Sequence, residues 1–479
     1  MPNLTPILPE IVILTAACLI LVIDLFVSDG RRHVSYWLTQ LALLVATCVT
    51  IKTMQLDATK AFNNMVVDDM LADFLRIGCF IAVSLMLFYS RTYLVARSLF
   101  HGETFVLTLF ALLGMQVMVS GNNFLTLYLG LELLSLSLYA MVALARDHPG
   151  AAEGAMKYFV LGALASGMLL YGLSMIYGAT GSLDIDTVAR SVLGKQANPL
   201  LLTFGLVFVV SGIAFKLGAA PYHMWVPDVY QGAPTAITLL IGTAPKLAAF
   251  ALTLRLLSGA LQGSAFDWQG MLIVLSLLSM VLGNLIAIAQ TNIKRMLAYS
   301  TIANMGFMLL GFLAADLNGF SAAMFYTITY VFTSLASFGI IMLLSRAGFD
   351  AENLEDFKGL NQRSPWFAAI MMVLLLSLAG VPPMMGFYAK LAVLQSVLGA
   401  GQLWLSIVAV IFSLVGAYYY LRIIKLMYFD DATDTAPIVA HGDMRIALSL
   451  NGVAIVALGL LPGPLMAACS AAIVRTLAS

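Results

Sequence analysis

Uninterrupted apolar runs of about 20 residues recur from one end of the chain to the other. A helix needs about 20 such residues to cross a hydrocarbon core of about 30 Å. The runs do not alternate with a period of two, which excludes a membrane β-barrel. We therefore predict an all-α polytopic membrane protein with about 14 transmembrane helices. The predicted spans cover residues 7–27, 34–53, 71–90, 103–119, 122–142, 152–177, 200–231, 233–257, 268–290, 296–315, 318–345, 366–399, 403–428 and 446–464.

Composition supports a membrane protein and excludes several other classes. Of the 479 residues, 61% are hydrophobic and only 10% are charged, against about 25% charged in soluble domains. The 24 basic residues balance the 24 acidic ones without a basic run, which argues against a nucleic-acid partner. The four cysteines lie in apolar runs without CxxC spacing, so we expect no disulfide framework, metal or iron–sulfur site in this chain.

Two of the predicted spans exceed 30 residues and contain prolines. They hold FKLGAAPYHMWVPDVYQGAPT, from Phe215 to Thr235, and SLAGVPPMMGFYAK, from Ser377 to Lys390. A proline removes a backbone donor and clashes with the preceding turn, so we expect both helices to be broken. Unpaired backbone is tolerated in a membrane only where protein or a water-filled cavity meets it.

The two broken spans predict an internal repeat. Each is the fourth of five spans, within residues 103–257 and residues 258–428. Because five is odd, the second unit enters the membrane from the opposite side, which is the inverted-repeat plan of many transporters. We predict three transmembrane helices in residues 1–102, the two five-helix repeats, and a last span in residues 429–479.

The distribution of basic residues predicts the orientation. The side that holds the first interhelical loop collects 13 of the 24 basic residues, and the other side has five, which are Lys52, Lys60, Arg190, Lys195 and Arg475. By the positive-inside rule, both termini lie outside the cytoplasm.

Six basic residues are assigned to neither side because they lie deeper within spans, and four of them are lysines. Lys246 is central in span eight, Lys216 lies shortly before the first break, Lys390 follows the second, and Lys157 lies near the start of span six. Glu132 is central in span five. A charge at the bilayer centre costs at least about 2.5–3.5 kcal/mol, so such residues face a partner or a hydrated cavity. Lysines in excess of buried acids favour a proton-conducting line, because a lysine out of water can lose as well as hold its proton.

Other charged residues allow simpler interpretations. A static ion pair with one lysine would also explain Glu132. Arg76 and Arg255 lie close enough to span ends to reach the interface, where Glu10 is also expected. Lys157 follows Glu153 by four residues, so a local ion pair competes with a relay role.

His223 lies in the first break. It can relay protons or cap backbone groups that the prolines leave free.

The motifs around these residues resemble a known family. LYLGLELLSLSLYAM around Glu132, the two proline-containing segments, TAPKLAAF around Lys246 and TNIKRMLAYSTIANMG (Thr291 to Gly306) closely resemble the antiporter-like membrane subunits of respiratory complex I and related multisubunit cation/proton antiporters. The chain lacks the long C-terminal helix of subunit L, and it has Lys390 where subunit M carries an acid.

The resemblance implies a function and a set of site residues. It assigns Glu132 and Lys216 as the charged pair of a first half-channel, Lys246 as the central lysine, Lys390 as the terminal site and Lys157 as a further lysine of the axis. It implies a proton-translocating subunit of an NADH:quinone oxidoreductase in the bacterial inner membrane, with both termini periplasmic. No dinucleotide fingerprint or cluster-binding cysteines occur here, so NADH, FMN, iron–sulfur clusters and quinone are expected in partner subunits.

The resemblance also implies partners and leaves alternatives. The expected partners are the antiporter-like subunits M and L, the smaller subunits K, J, A and H, and the lipid bilayer. One alternative is an Mrp-type cation/proton antiporter subunit, which exchanges Na+ for H+ without redox partners. The other is a non-conducting subunit that braces a membrane arm through static ion pairs.

Overall fold

The computed structural model describes residues 3–55, 57–434, 436, 438 and 442–478. Within these residues, thirteen helices are long and apolar enough to cross a membrane, and two further apolar helices are shorter. The all-α membrane architecture is therefore confirmed. The elements are, in chain order, α1 (Leu8–Asp24), α2 (His33–Thr53), β1 (Thr59–Ala61), β2 (Val66–Asp68), α3 (Met70–Ala96), α4 (Gly102–Ser120), α5 (Phe124–Val142), α6 (Pro149–Thr180), α7 (Ile185–Leu193), α8 (Pro199–Leu217), α9 (Trp225–Gly232), α10 (Thr235–Gly242), α11 (Ala244–Thr253), α12 (Ala265–Ile288), α13 (Ile293–Leu313), α14 (Leu317–Leu344), α15 (Leu360–Arg363), α16 (Pro365–Ala379), α17 (Met385–Gly399), α18 (Leu403–Phe429), α19 (Gly442–Leu460) and α20 (Gly463–Ala478).

Both predicted helix breaks are present. Residues 218–224 separate α8 from α9, and residues 380–384 separate α16 from α17. Gly218 (φ +79°) and Gly380 (φ +84°) end the first half of each broken helix in the left-handed conformation, which a residue with a Cβ rarely adopts. The backbone therefore stops being helical at a left-handed glycine in both spans, and the two-repeat organisation stays a prediction.

The helix that carries Lys246 is also interrupted, which the sequence analysis did not anticipate. The continuous helix predicted over 233–257 is wrong in this respect. Thr243 (φ −126°, ψ −93°) separates α10 from α11, Pro245 lies in the first turn of α11, and Leu254–Ala260 continues as a π-helix. Lys246 thus lies in the first turn of a helix within the membrane region.

The bundle has a buried centre and a lipid-facing periphery. The segment from α10 to the π-helix is almost entirely buried, as are α13 and α14, whereas α1, α2, α18 and α19 expose many apolar side chains. Small residues permit close helix contacts. At Gly114 of α4, a Cβ would lie 2.5 Å from the backbone nitrogen of Leu134 and 2.7 Å from the carbonyl oxygen of Gly130 in α5. The central position of α11, α13 and α14 places Lys246 in the interior.

Several elements lie outside the predicted spans. β1 and β2 form a short antiparallel hairpin before α3, and α7 is an amphipathic helix between α6 and α8. The C-terminal region predicted to hold one span, at 446–464, contains α19 and an additional helix, α20, which packs against α3 and α14. Cys469 of α20 is buried, as expected of a cysteine that acts as a small apolar residue.

Candidate functional site

Lys216 reaches a serine of α5 more closely than it reaches Glu132. Its Nζ donates to Ser135 Oγ at 2.9 Å, and Ser135 Oγ in turn donates to the carbonyl of Leu131 at 2.6 Å. No oxygen of Glu132 lies within 4.0 Å of the Lys216 ammonium. Glu132 Oε1 is buried without a hydrogen-bond partner. The two charged groups are therefore neighbours with a hydroxyl beside them, and they do not form a contact ion pair.

A small cavity adjoins Lys216. Its volume is about 20 Å³, and its lining includes Ser135, Ser166, Lys216 and Trp225. A buried water needs about 10–15 Å³ and two or more polar partners. The space therefore fits one water that could hydrogen-bond the ammonium and the Ser166 hydroxyl, which has no partner in the structure.

Lys246 binds the C-terminal end of the broken helix α8. Its Nζ donates to the carbonyl of Leu217 at 2.9 Å and lies 3.5 Å from the carbonyl of Lys216. It also lies 5.8 Å from the ring centroid of Trp225 in α9. The last carbonyls of a helix lack intrahelical partners and carry partial negative charge, so they favour a cation. The break in α8 thus supplies the ligands of the Lys246 ammonium.

Lys390 makes the corresponding contact in the second broken span. Its Nζ donates to the carbonyl of Ala379, the last residue of α16, at 2.9 Å and to Ser413 Oγ of α18 at 2.8 Å. The ammonium also lies 5.0 Å from the ring centroid of Phe307. Both Lys246 and Lys390 therefore bind the carbonyl end of the first half of a broken helix.

Hydroxyl and amide groups line the region between α13, α14 and α18. Thr301 hydrogen-bonds the Tyr330 hydroxyl at 2.7 Å, and Asn304 accepts from the Tyr326 hydroxyl at 2.7 Å. Two cavities of about 10 Å³ each lie between this set and Lys390, and both include Asn304 in their lining. Asn304 therefore stands next to the lysine of the second unit.

A wider polar cavity opens at the end of the bundle where α9 meets α10. Its volume is about 920 Å³, and Lys294, Glu352, His101 and Pro234 are part of its lining. The buried Lys294 ammonium donates to Glu352 at 2.7 Å and to the carbonyl of Ala233 at 2.9 Å. Water in this cavity would reach the segment that precedes the Lys246 helix.

Lys157 forms ion pairs at the surface of the bundle. Its Nζ lies 2.8 Å from Glu153 and 2.7 Å from Asp228, and its side chain is 42% exposed. Asp228 also pairs with Arg295 at 2.8 Å. The local pair with Glu153 is thus present, and Lys157 stands apart from the buried contacts of Lys216, Lys246 and Lys390.

His223 lies in the break between α8 and α9. Its Nδ1 is buried without a hydrogen-bond partner among the described residues. The relay and capping interpretations both stay predictions.

Arg76 and Arg255 do not project out of the bundle, so the expected exposure of their charged groups is wrong. Both side chains are buried, Arg76 against Glu10 and Arg255 against Asp69. Glu10, also expected at the interface, is buried for the same reason: the guanidinium holds it inside the bundle.

Several site residues had little or no signal in the sequence. Ser135 was one of many polar side chains within spans, and Ser413 lies 23 residues beyond its partner Lys390 on another helix. Tyr326 and Tyr330 are aromatic residues of the kind that packs or faces lipid by default. Among the described residues, no group of three or more His, Cys, Asp or Glu is placed to hold a metal ion.

Comparisons with known proteins agree on a family. The family model described as NADH:quinone oxidoreductase/Mrp antiporter, transmembrane, matches residues 121–416. NADH-quinone oxidoreductase subunit N of Herminiimonas arsenicoxydans is 60% identical over 490 aligned residues, which cover 100% of this chain and 99% of that protein.

Solved structures give the same result. A chain of respiratory complex I from Thermus thermophilus, solved with bound aureothin, superposes with a TM-score of 0.84 at 31% identity and covers 97% of this chain and 100% of that one. A chain of the Mrp complex from Dietzia sp. DQ12-45-1b has a TM-score of 0.84 at 20% identity, over 98% of this chain and 96% of that one, which shows a shared fold alone. The chain therefore belongs to the NADH-quinone oxidoreductase subunit N family, the antiporter-like membrane subunits of respiratory complex I.

Proposed function

We propose that this subunit translocates protons along Glu132, Lys216, Lys246 and Lys390, driven by electron transfer from NADH to quinone elsewhere in the complex. The observation that carries the proposal is the placement of two buried lysines on the carbonyl ends of two broken helices. Lys216 and Lys246 meet at the same end of α8, since Lys246 approaches the backbone carbonyl of Lys216.

Opposing forces act on each lysine. Removal from water disfavours the charged ammonium, while helix carbonyls and a serine hydroxyl favour it. With these effects opposed, a modest change nearby is enough to add or remove a proton. The fixed carbonyls thus stabilise a buried ammonium that would otherwise be costly, and they leave the lysine able to release its proton.

The Glu132 carboxylate is the group through which a neighbouring subunit would act on Lys216. Two unit charges 4 Å apart interact by about 4 kcal/mol at an effective dielectric constant of 20. At the larger separation found here the interaction is weaker, but about 1.4 kcal/mol already changes a protonation equilibrium tenfold. Moving a compensating charge towards or away from Glu132 would therefore load or unload Lys216.

The proton route beyond Lys246 passes the hydroxyl groups of α13 and α14. Thr301 of α13 and Tyr330 of α14 hydrogen-bond each other, and Asn304 adjoins the cavities at Lys390. A water in either cavity would join the Asn304 amide to the Lys390 ammonium. Lys157 and His223 hold lesser roles in the proposal, as surface and break residues that can pass protons to the first half-channel.

The rest of the enzyme would lie in other subunits. NADH, FMN, iron–sulfur clusters and quinone are expected there, and the membrane-arm neighbours are expected to be subunits M, L, K, J, A and H. We propose the bacterial inner membrane as the location, with both termini periplasmic. Protons would then enter from the end where Lys294 and Glu352 line the wide polar cavity.

The test is proton pumping by the intact complex in proteoliposomes. We expect Lys216→Ala, Lys246→Ala and Lys390→Ala each to lower NADH-driven proton uptake and coupled quinone reduction strongly. Lys425→Ala is the control, because that lysine is 65% exposed and pairs with Asp430. NADH oxidation by a soluble artificial acceptor, together with native gels, would verify that the complex is assembled.

The alternatives predict different results. Normal coupled turnover in an assembled Lys216→Ala enzyme would exclude the proposed axis. A loss of stability without any loss of pumping would identify a structural brace. Sodium transport that is lost in the same lysine variants would favour the Mrp-type activity. The identity to the Dietzia chain is only 20% and gives this alternative little support.

A further inference from the structure

A second set of buried charges surrounds Arg76, at the end of the bundle that holds the N-terminus. The guanidinium donates to Glu10 Oε1 of α1 at 2.6 Å, to the carbonyl of Pro6 at 2.9 Å and to Asp73 of α3 at 3.3 Å, and it also binds Asp68 of β2. The exposed fraction is 1% for Arg76 and at most 7% for the three acids. We call Glu10, Asp68, Asp73 and Arg76 the Arg76 cluster.

The charges of the Arg76 cluster do not balance. Three carboxyl groups face one guanidinium, so full ionisation leaves two negative charges out of water. The neighbouring Arg255 does not neutralise these charges, because it is already bound to both carboxylate oxygens of Asp69, at 3.1 and 3.2 Å. An uncompensated buried carboxylate is costly, and such a group takes up a proton instead.

Two carboxyl oxygens of the cluster also lack a hydrogen-bond donor. Glu10 Oε2 and Asp73 Oδ2 are buried without a partner. The carboxyl groups of Asp68 and Asp73 lie side by side, because both accept from the same nitrogen, Arg76 Nη1. Two carboxylates cannot bond to each other, whereas a carboxyl and a carboxylate can, because the proton supplies the donor.

A glutamine on the next helix points to the same conclusion. Gln116 is fully buried, and neither its Oε1 nor its Nε2 has a partner. It lies one turn before Ser120, on the same face of α4, and the Ser120 hydroxyl donates to Glu10 Oε1 at 3.1 Å. A buried amide with both atoms unpaired indicates a ligand such as water beside it.

We propose that the Arg76 cluster is a proton-binding site in which Asp68 and Asp73 share one exchangeable proton. The site is separate from the proposed lysine axis and does not depend on it, since none of its residues belongs to that axis. Burial raises the pKa of the Asp68 carboxyl, although Arg76 beside it acts in the opposite sense. The central guanidinium would repel a metal cation, so a proton is the cation that the cluster accommodates.

Infrared spectra of the purified complex, recorded in H2O and in D2O near neutral pH, test the site. A protonated carboxyl has a C=O stretching band that shifts in D2O, whereas an ionised carboxylate has two bands at lower frequency. We expect Asp73→Asn and Asp68→Asn each to remove the same single protonated band. Asp186→Asn is the control, because Asp186 is 39% exposed and pairs with Lys60, so its loss should affect only the ionised bands.

Assembly of the variants gives a second readout. Asparagine has the shape of a protonated aspartate, so we expect both variants to assemble and to retain redox activity. Loss of only ionised bands in both variants would overturn the proposal, and so would failure of both to assemble. A protonated band that survives in both and disappears in Glu10→Gln would place the proton on Glu10 and overturn the sharing by the two aspartates.

Discussion

The hydroxyl of Ser135 offers a direct test of the proposed first half-channel. Ser135→Ala removes the only side-chain acceptor that the structure gives the Lys216 ammonium among the described residues. The substitution leaves Glu132, the α8 break and every charge in place. We expect the mutant complex to assemble and to show an altered pH dependence of coupled turnover.

The size of the effect follows from the contact. A hydrogen bond to a charged group contributes about 1.5–3 kcal/mol, and about 1.36 kcal/mol corresponds to a tenfold change in a protonation equilibrium. Loss of the bond should therefore move the pH dependence governed by Lys216 by about one to two units towards acid. The lower value applies if a water from the adjoining cavity, about 20 Å³ in volume, replaces the hydroxyl.

The assay is NADH-driven proton uptake and quinone reduction in proteoliposomes as a function of pH. Ser137→Ala is a matched control. Ser137 lies on the same helix, and its hydroxyl donates to the backbone carbonyl of Leu133 at 2.7 Å. Ser135→Thr keeps the hydroxyl and should restore the profile. An unchanged pH profile in Ser135→Ala, or the same change in Ser137→Ala, would refute the role given to Lys216.

Three further predictions concern other parts of the molecule. Ser413→Ala should weaken coupled pumping through loss of the 2.8 Å contact with Lys390, while electron transfer to a soluble acceptor stays normal. Gly114→Ala should lower the yield of assembled complex, since its Cβ would lie 2.5 Å from backbone of α5 and overpacking costs about 1–3 kcal/mol; Gly167→Ala, with open space around it, should not. Burial raises the pKa of Asp68 in the folded protein above 3.8. Its contribution to the free energy of unfolding is therefore fully present below pH 3.8 and is lost as the pH rises through the pKa of the folded protein. The temperature at which the complex unfolds, measured at a series of pH values from acid to neutral, should depend less on pH in Asp68→Asn.

The sequence predicted the membrane fold and most of the spans because both follow from local patterns. A run of 20 apolar residues specifies a spanning helix wherever it lies, and prolines break a helix through their own geometry. Glu132 and the four lysines were found by the same reasoning, since a charge in an apolar run is costly and therefore conspicuous.

Partners across the bundle could not be predicted, because they depend on helix packing. Lys390 binds Ser413 and Glu10 binds Arg76, which lies 66 residues away, and no local pattern fixes such pairs. The same limit explains the error at Arg76. From its position near the end of a span, interfacial exposure was reasonable, but α1 and the β1–β2 hairpin bring Glu10 and Asp68 to it, and Asp73 lies one turn before it on α3. The break before Lys246 had one local signal, Pro245, which the apolar run concealed.

The contacts of the lysines also constrain the order of proton movement in the proposed mechanism. Lys246 Nζ binds the carbonyl of Leu217, the residue that follows Lys216, and any two like unit charges about 8 Å apart repel by about 2 kcal/mol at an effective dielectric constant of 20. Occupation of one therefore opposes occupation of the other, so a proton that arrives at Lys216 favours release from Lys246. Lys390 has no charged side chain against its ammonium among the described residues, so direct repulsion cannot drive this last transfer. In the proposed mechanism, the hydroxyl and amide groups of α13 and α14 would then carry the proton, and the two halves of the axis would join at Asn304 and the small cavities between it and Lys390.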